Sequence, residues 1–383
     1  MNRVDILEAV KITNNRVEPF DGKKRYLATG NLSNQGIDNF LFVDYENKPS
    51  RADLMVSEGD LILARMKATN KVFLIDCDSE DLIVSTGFLT LKPKDGFNGR
   101  YLYYYFHSKT FQQLKDSFCS GATQKAINNN SFKRLKVPHY EIEQQKKIVQ
   151  ILDATDNLRQ KREEQLALLD EYLKSVFWEA FGDSEKFSKC KIKDIAAIRK
   201  HSLSSGPFGS NLKSKDYVKE GVIVLRGLNV SKGLLDMSNV KYISEKKAME
   251  LIRSEVVPND IVIVAVGSSG LALRIPKILP RAIISQNFNK ISPNTDKINP
   301  LFLQFYINSD FVQFQFRKKI TNTVRTFLSL TKIKDIDIIL PPIEMQDKFS
   351  DIVKQVEQMK QKMRDSLDEM DNHFNALMQR YFE

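Results

Sequence analysis

Cysteine is scarce and tryptophan almost absent: 383 residues include three cysteines, Cys77, Cys119 and Cys190, and one tryptophan. The cysteines form no CxxC pair. The four histidines, His107, His139, His201 and His373, lie far apart without carboxylates at ligand spacing, so reduced thiols and no structural metal are expected. No apolar run approaches the roughly 20 residues of a membrane span, and the start MNRVDILEAVK lacks the apolar centre of a secretory signal; a cytoplasmic protein without membrane contact is expected. Also missing are a G-x-x-x-x-G-K-[ST] phosphate loop, an NPP-aromatic methyltransferase motif and a helical HExxH. The run GSSGLALR at 267 has no Lys-Ser after it and no G-x-G-x-x-G around it, so it reads as a turn following a strand.

What the chain does have is positive charge and size. Lysine and arginine number 58 against 48 acidic residues, a net charge of +10 and a pI near 9.2. Such a surface attracts polyanions, nucleic acid first among them, although a merely solvated basic surface is the alternative. A chain this long exceeds one ordinary core, so at least two domains are expected.

The sequence is one unit written twice. YFHSKTFQQ at 105 resembles YINSDFVQF at 306, and IEQQKKIV at 142 resembles IEMQDKFSDIV at 343, both 201 residues apart. SEGDLILAR at 57 matches VPNDIVIVA at 257, and STGFLTLKP at 85 matches SQNFNKISP at 285, at an offset of 200. YLATGNL at 26 faces VLRGLNV at 224, offset 198. A near-constant offset over five blocks excludes chance similarity.

Each unit opens with short β-branched runs (DLILARM and KVFLIDC; GVIVLRGL and DIVIVAVG) that predict strands, and continues into an aromatic helical stretch. Each then ends in a long helix. In the first, Ile148, Ile151, Thr155, Leu158, Arg162, Leu166, Leu169, Leu173, Val176 and Ala180 form an apolar stripe. Phe349, Ile352, Val356, Met359, Met363, Leu367, Met370, Phe374, Leu377 and Tyr381 repeat its steps in the second. Both read as a heptad seam interrupted once by a four-residue step, with Arg162 as the polar intrusion, free to snorkel outward. The first helix is expected to stop at FGDSE, with Gly182 as its cap. About 40 residues make a rod of about 60 Å, and for its stripe to be buried the second helix must run back along the first.

The expected fold is therefore α+β: two mixed α/β domains separated by an antiparallel two-helix coiled coil, with an internal pseudo-twofold repeat. The boundaries read as 1–140 for the first domain, 141–183 for the first spacer helix, 184–340 for the second domain and 341–383 for the second helix. Two basic domains on a rigid spacer suit a reader of two separated DNA sites.

SGPFGSNLKSKDYVKEGVIVLRGLNV (205–230), FCSGATQKAINNNSFKRLKVP (118–138), the paired VPHYEIEQQKKIV and LPPIEMQDKF blocks and the two-unit plan resemble the specificity subunit of type I restriction-modification enzymes. The resemblance covers essentially the whole chain. It departs at Tyr140 and Glu141, where a double proline would fall, and the first domain has no GPFGS counterpart. It implies two target-recognition domains, each reading half of a bipartite site in double-stranded DNA. It further implies a non-catalytic chain that holds no cofactor itself and docks two methyltransferase subunits and restriction subunits. S-adenosylmethionine, ATP and magnesium would then reside on those partners. The alternatives are the recognition part of a fused restriction-methylation nuclease, for which the repeat leaves no room, and a coiled-coil structural protein.

Phosphate contact takes Lys, Arg, Ser, Thr, Asn or backbone amides, and base readout takes forked polar groups on loops. In the first domain these are Lys23, Lys24, Arg25, Asn31, Arg65, Lys67, Lys71, Thr123, Gln124, Lys125, Asn128 and Asn129. In the second they are Ser204, Ser205, Asn211, Lys213, Lys215, Arg226, Asn229, Ser268, Ser269, Arg274 and Arg325. Phe132 and Phe208 are read as loop anchors in the core rather than as contacts.

Overall fold

A computed structural model describes residues 2–33, 36–76, 79, 81–231, 234–267, 269–277, 279–319 and 327–383. The chain divides into two compact units, Met1–Leu166 with Lys362–Glu383, and Ala167–Gln361. The long helices run Ile142–Phe181 and Ile343–Phe382. Those bounds lie within the expected helix segments, but the compact units follow another division. Each helix begins on one unit's globule and ends on the other's, because its two halves carry separate apolar faces.

The two units are built alike. In the first, DLILARM supplies the strand Leu61–Ala64, the centre of an antiparallel sheet ordered Val10–Ile12, Phe88–Pro93, Leu61–Ala64, Val72–Leu74. A second sheet is ordered Leu41–Val43, Lys24–Leu27, Leu82–Ser85, Ala52–Met55, and its Lys24–Leu27 and Leu82–Ser85 strands pair in parallel. In the other unit Leu203–Ser205, Phe288–Ile291, Ile261–Val264 and Ala272–Arg274 repeat the antiparallel sheet. Val222–Leu225 and Ala282–Ile284 repeat the parallel pair. Leu61–Ala64, Val222–Leu225 and Ile261–Val264 are buried on both faces, which is why they read as continuous apolar runs rather than alternating ones.

The aromatic stretches become helix pairs, Gly99–His107 with Lys109–Ser117 and Pro300–Asn308 with Asp310–Lys319. Asn98 and Asn299 cap the first helix of each pair through their side chains. A glutamine from the start of each long helix completes the join. Buried Gln145 accepts from the Asn98 amide at 2.9 Å and donates to the carbonyls of Gly96 (2.9 Å) and Tyr140 (2.8 Å). Buried Gln346 accepts from the Asn299 amide at 2.9 Å and donates to Lys297 (3.3 Å) and Pro341 (2.8 Å). The glutamine shared by IEQQ and IEMQ is thus a joint between globule and spacer, and both of its amide functions are satisfied without water.

Within each unit the two helices run antiparallel. In the first, the Tyr140 hydroxyl donates to Tyr381 O at 3.3 Å and Arg159 pairs with Asp371; in the second, Asp170 pairs with Lys360 and the Phe181 ring meets Phe349 at 5.6 Å. The packing corrects the predicted seam. Ile151 and Leu158 are 42% and 56% exposed, and Met359 is exposed as well, whereas Leu152, Arg159, Val353 and Lys360 turn inward. The stripe of the first helix is Ile148, Leu152, Thr155, Arg159, Arg162, Leu166, Leu169, Leu173, an unbroken alternation of four and three with no phase step. The apolar pattern favoured Leu158 because the true seam residue beside it is charged.

Those charged residues are held by ion pairs. Arg159 lies over the Phe374 ring and pairs with Asp156 at 2.8 Å and with Asp371; Lys360 pairs with Glu357 at 3.0 Å and with Asp170. Arg159, Asp156 and Asp170 each lie 201 positions before Lys360, Glu357 and Asp371, so one constellation occurs twice. The first helix stops at Phe181 as expected, but Gly182 does not adopt the left-handed cap. It packs under Trp178, where a Cβ would stand 2.4 Å from the Trp178 carbonyl oxygen.

Candidate nucleic-acid interface

In the first unit the turn after Leu61–Ala64 and the loop after Lys109–Ser117 lie side by side. Met66 bridges Ala126, the Lys67 amide donates to Lys125 O at 2.9 Å, and Ser120 and Ala126 close the base of the loop on each other. Lys67, Thr123, Gln124 and Lys125 all project into solvent from this joint rim. Asn128 is exposed beside them, its side chain capping the short helix Asn129–Phe132. Five of the twelve candidates in this unit thus share one face.

Arg65 does not belong to the contact surface. Its guanidinium donates to Phe88 O (2.9 Å), Ile127 O (3.4 Å) and Asn129 Oδ1 (2.9 Å), and burial holds its pKa below the usual arginine range. It bolts the loops together from beneath and engages Asn129 in doing so. Lys71 reaches the Thr29 carbonyl at 2.8 Å, and Asn31 pairs with Asn39. Lys23 precedes and Lys24 and Arg25 begin the strand Lys24–Leu27, whose other end leads to Thr29. Arg25 is held in a fork by Asp81 at 2.8 and 2.9 Å, and that pair keeps the Asp81 carboxyl below its ordinary pKa.

In the second unit four loops surround an open cleft of about 530 Å³. Pro207 comes from GPFGS, Arg226–Leu228 from RGLNV, Val266 and Gly267 from the turn after Ile261–Val264, and Ser285–Asn287 from SQNF. Gly206 explains why GPFGS opens with glycine: its amide donates to Phe288 O at 2.9 Å, and a Cβ there would lie 1.9 Å from Ser285 O. Among the described residues, the Ser285 hydroxyl and Arg226 Nε are buried without a hydrogen-bond partner at this cleft. Nη2 of the same guanidinium donates to Asn239 O at 2.7 Å. Asn211, Lys213 and Lys215 are exposed on the GPFGS loop.

Several candidates in this unit face inward. Ser204 is 1% exposed and donates to Arg253 O, and Ser205 donates to Asn289. Asn229, equally buried, accepts from the Arg226 amide and donates to Asp236 O and Asn239 O, so it shapes the loop rather than touching a partner. Ser269 donates to Ala265 O and Arg274 to Asn259 Oδ1. Ser268 and Arg325, like Cys77, lie outside the described residues.

Three residues escaped the sequence reading. Phe132 is buried as an anchor, but Phe208 is 80% exposed at the tip of GPFGS, where Gly206 rather than the ring packs against the backbone of Ser285 and Gln286. Gln286 and Asn287 reach the cleft with forked amides suited to base edges. The available signal was their place in the SQNF block, directly before a buried strand.

The family model for the type I restriction modification DNA specificity domain matches residues 5–168 and again 184–369. The chain belongs to this family. Membership gives it a DNA sequence-recognition role in a type I restriction-modification system and no catalytic step of its own. The specificity subunit of the type I restriction enzyme MjaVIII from Methanocaldococcus jannaschii is 23% identical over 360 residues, 89% of this chain and 81% of its own length. The EcoBI specificity subunit from Escherichia coli is 29% identical over 144 residues, 38% of this chain and 30% of its own. Among solved structures, a type I restriction-modification S subunit from M. genitalium superposes with a TM-score of 0.57 at 16% identity, covering all of this chain and 96% of that one. A chain from a type I R-M complex gives 0.58, also at 16%, covering 99% and 97%. Both support the same specificity-subunit fold.

Proposed function

We propose that each unit reads one half of a bipartite duplex DNA site. The first would use the Lys67 and Thr123–Lys125 rim, the second the cleft lined by Arg226, Gln286 and Asn287. The observation that supports this reading is the repeat of the loops: Met66 bridges Ala126 in the first unit and Val266 bridges Phe327 in the second, so each turn after the doubly buried strand meets the segment ahead of a short helix. In the first unit basic side chains stand ready for phosphates, while in the second forked amides and an incompletely paired arginine surround a recess able to take a base edge.

The chain works with methyltransferase and restriction subunits, with two copies of the former in the complex. S-adenosylmethionine would be bound by the methyltransferase, and ATP with magnesium by the restriction subunit. Among the described residues no helix is long and apolar enough to cross a membrane. The test is methylome sequencing of a host carrying this chain with its methyltransferase. A methylated bipartite motif is expected, and grafting residues 205–230 from a relative of different specificity should change one half of it only. A motif in one continuous block, or a graft that alters both halves, would refute the division of labour.

A further inference from the structure

The Lys67 rim is held from below by a device that the second unit lacks. Lys115, in the helix Lys109–Ser117, is wholly buried, and its ammonium donates to the carbonyls of Met66 at 3.2 Å and Thr69 at 2.6 Å. Asp116 Oδ1 lies 3.6 Å from that ammonium, while Asp116 Oδ2 accepts from the Ala68 amide at 2.9 Å. Ala68 sits at φ +56°, a conformation that a non-glycine residue keeps only when its surroundings impose it. The same turn exposes Lys67, whose amide is bonded to Lys125. A fully buried ammonium spent on two loop carbonyls is a costly way to stabilise a fold, and apolar packing would serve that purpose. The second unit does use apolar packing: the position 201 residues on is Phe316, which lies against Gly270 in the equivalent turn.

We propose that Lys115 and Asp116 are positioning residues for DNA readout by the first unit, clamping the 66–69 turn so that Lys67 and the 121–125 loop form one rigid contact surface. This rests on the reading of that rim as a DNA contact. The clamp fixes the backbone from the protein side and leaves the Lys67 side chain free for phosphate. It acts on one half-site alone, since no lysine occupies the matching place in the second unit.

The experiment uses the full chain assembled with its methyltransferase, carrying K115M or D116A, and measures binding to duplexes with single base changes in either half-site. Discrimination at the first half-site should fall about tenfold as the 121–125 loop loses its register against the bases, the scale of one lost base contact, while the second half-site is read as in wild type. The slope of log affinity against log salt should drop by about one as Lys67 loses its place. Thermal unfolding is followed alongside, and intact second-half-site reading certifies that each variant is folded. Should K115M fail to assemble, D116A decides, because its side chain is partly exposed. Unchanged discrimination in both variants overturns the clamp, as does a loss shared equally by both half-sites. A wild-type complex that discriminates at neither half-site would instead overturn the DNA reading, and the clamp with it.

Discussion

Lys67 and Lys125 are joined through the backbone and exposed through their side chains, the combination expected of phosphate contacts rather than base readers. Replacing both with alanine should weaken binding to all duplexes alike and lower the salt slope by about two, with the target preference unchanged. A changed methylation motif in that variant would make them base readers. His107 lends itself to a different measurement. Burial pushes it down to about 4, and Nδ1 lies 3.1 Å from Tyr103 O, so it is folded in its neutral form. The unfolded chain takes up its proton near pH 6.5, so this contribution to stability is complete above that pH and is lost as pH falls toward 4. Wild type should therefore lose more stability than H107F between pH 6.5 and 4 in chemical denaturation. Parallel pH curves would refute this. The residue scale is also where the sequence was hardest to read. Arg65, Asn229 and Ser204 have the chemistry of DNA contacts, but Arg65 and Ser204 are held by groups distant in sequence and Asn229 by the backbone of its own loop, and composition cannot show which polar groups are already occupied. Phe208 went astray the other way: an aromatic ordinarily buries itself, and this one stands exposed at the tip of its loop while Gly206 makes the close packing.

The long helices show how far pattern carries and where it stops. Their existence, ends and antiparallel course were legible in two heptad runs at a constant offset. The seam was displaced by one residue around Leu158 and Met359, because Arg159 and Lys360 occupy inward positions normally reserved for apolar side chains. Only the partners explain them: each cation meets one carboxylate on its own helix and another across the pair. R159E would set a third carboxylate beside Asp156 and Asp371 and should lower stability by about 1–2 kcal/mol, a modest figure because the site is partly exposed. Adding D371K should recover much of that loss. A double variant no more stable than R159E, judged by thermal unfolding, would mean that the pair contributes nothing across the helices. The glutamine joints are legible only in hindsight: the repeat reveals that Gln145 and Gln346 correspond, but their shared task appears once Asn98 and Asn299 are seen to lie beside them.

At the scale of the molecule, the repeat makes a prediction about half a chain. The first unit's core is completed by Phe374, Met378 and Phe382 from the second helix. Leu173, Phe177 and Phe181 stand 201 positions earlier, and Asp170 stands where Asp371 is needed to meet Arg159. A fragment ending near residue 185 therefore carries its own stand-ins, but they can reach the vacated places only from another copy. Burial of that apolar face, at about 25 cal/mol per Å², favours the association. The fragment should sediment as a dimer at tens of micromolar and, supplied with methyltransferase, direct methylation to a palindrome. A monomer at that concentration, or a non-palindromic motif, would contradict it.

The doubled ion-pair constellation has a consequence for inheritance. Each helix presents a cation and, 11 positions later, the anion that satisfies the other helix's cation, so both sides of the joint speak the same dialect. A genetic crossover in the spacer that replaced one half with a distant cousin's would leave the joint intact as long as the newcomer kept that dialect. The loops above it would meanwhile arrive with a new half of the address. Such a chain can acquire a new target in a single recombination event, without passing through intermediates that fail to fold.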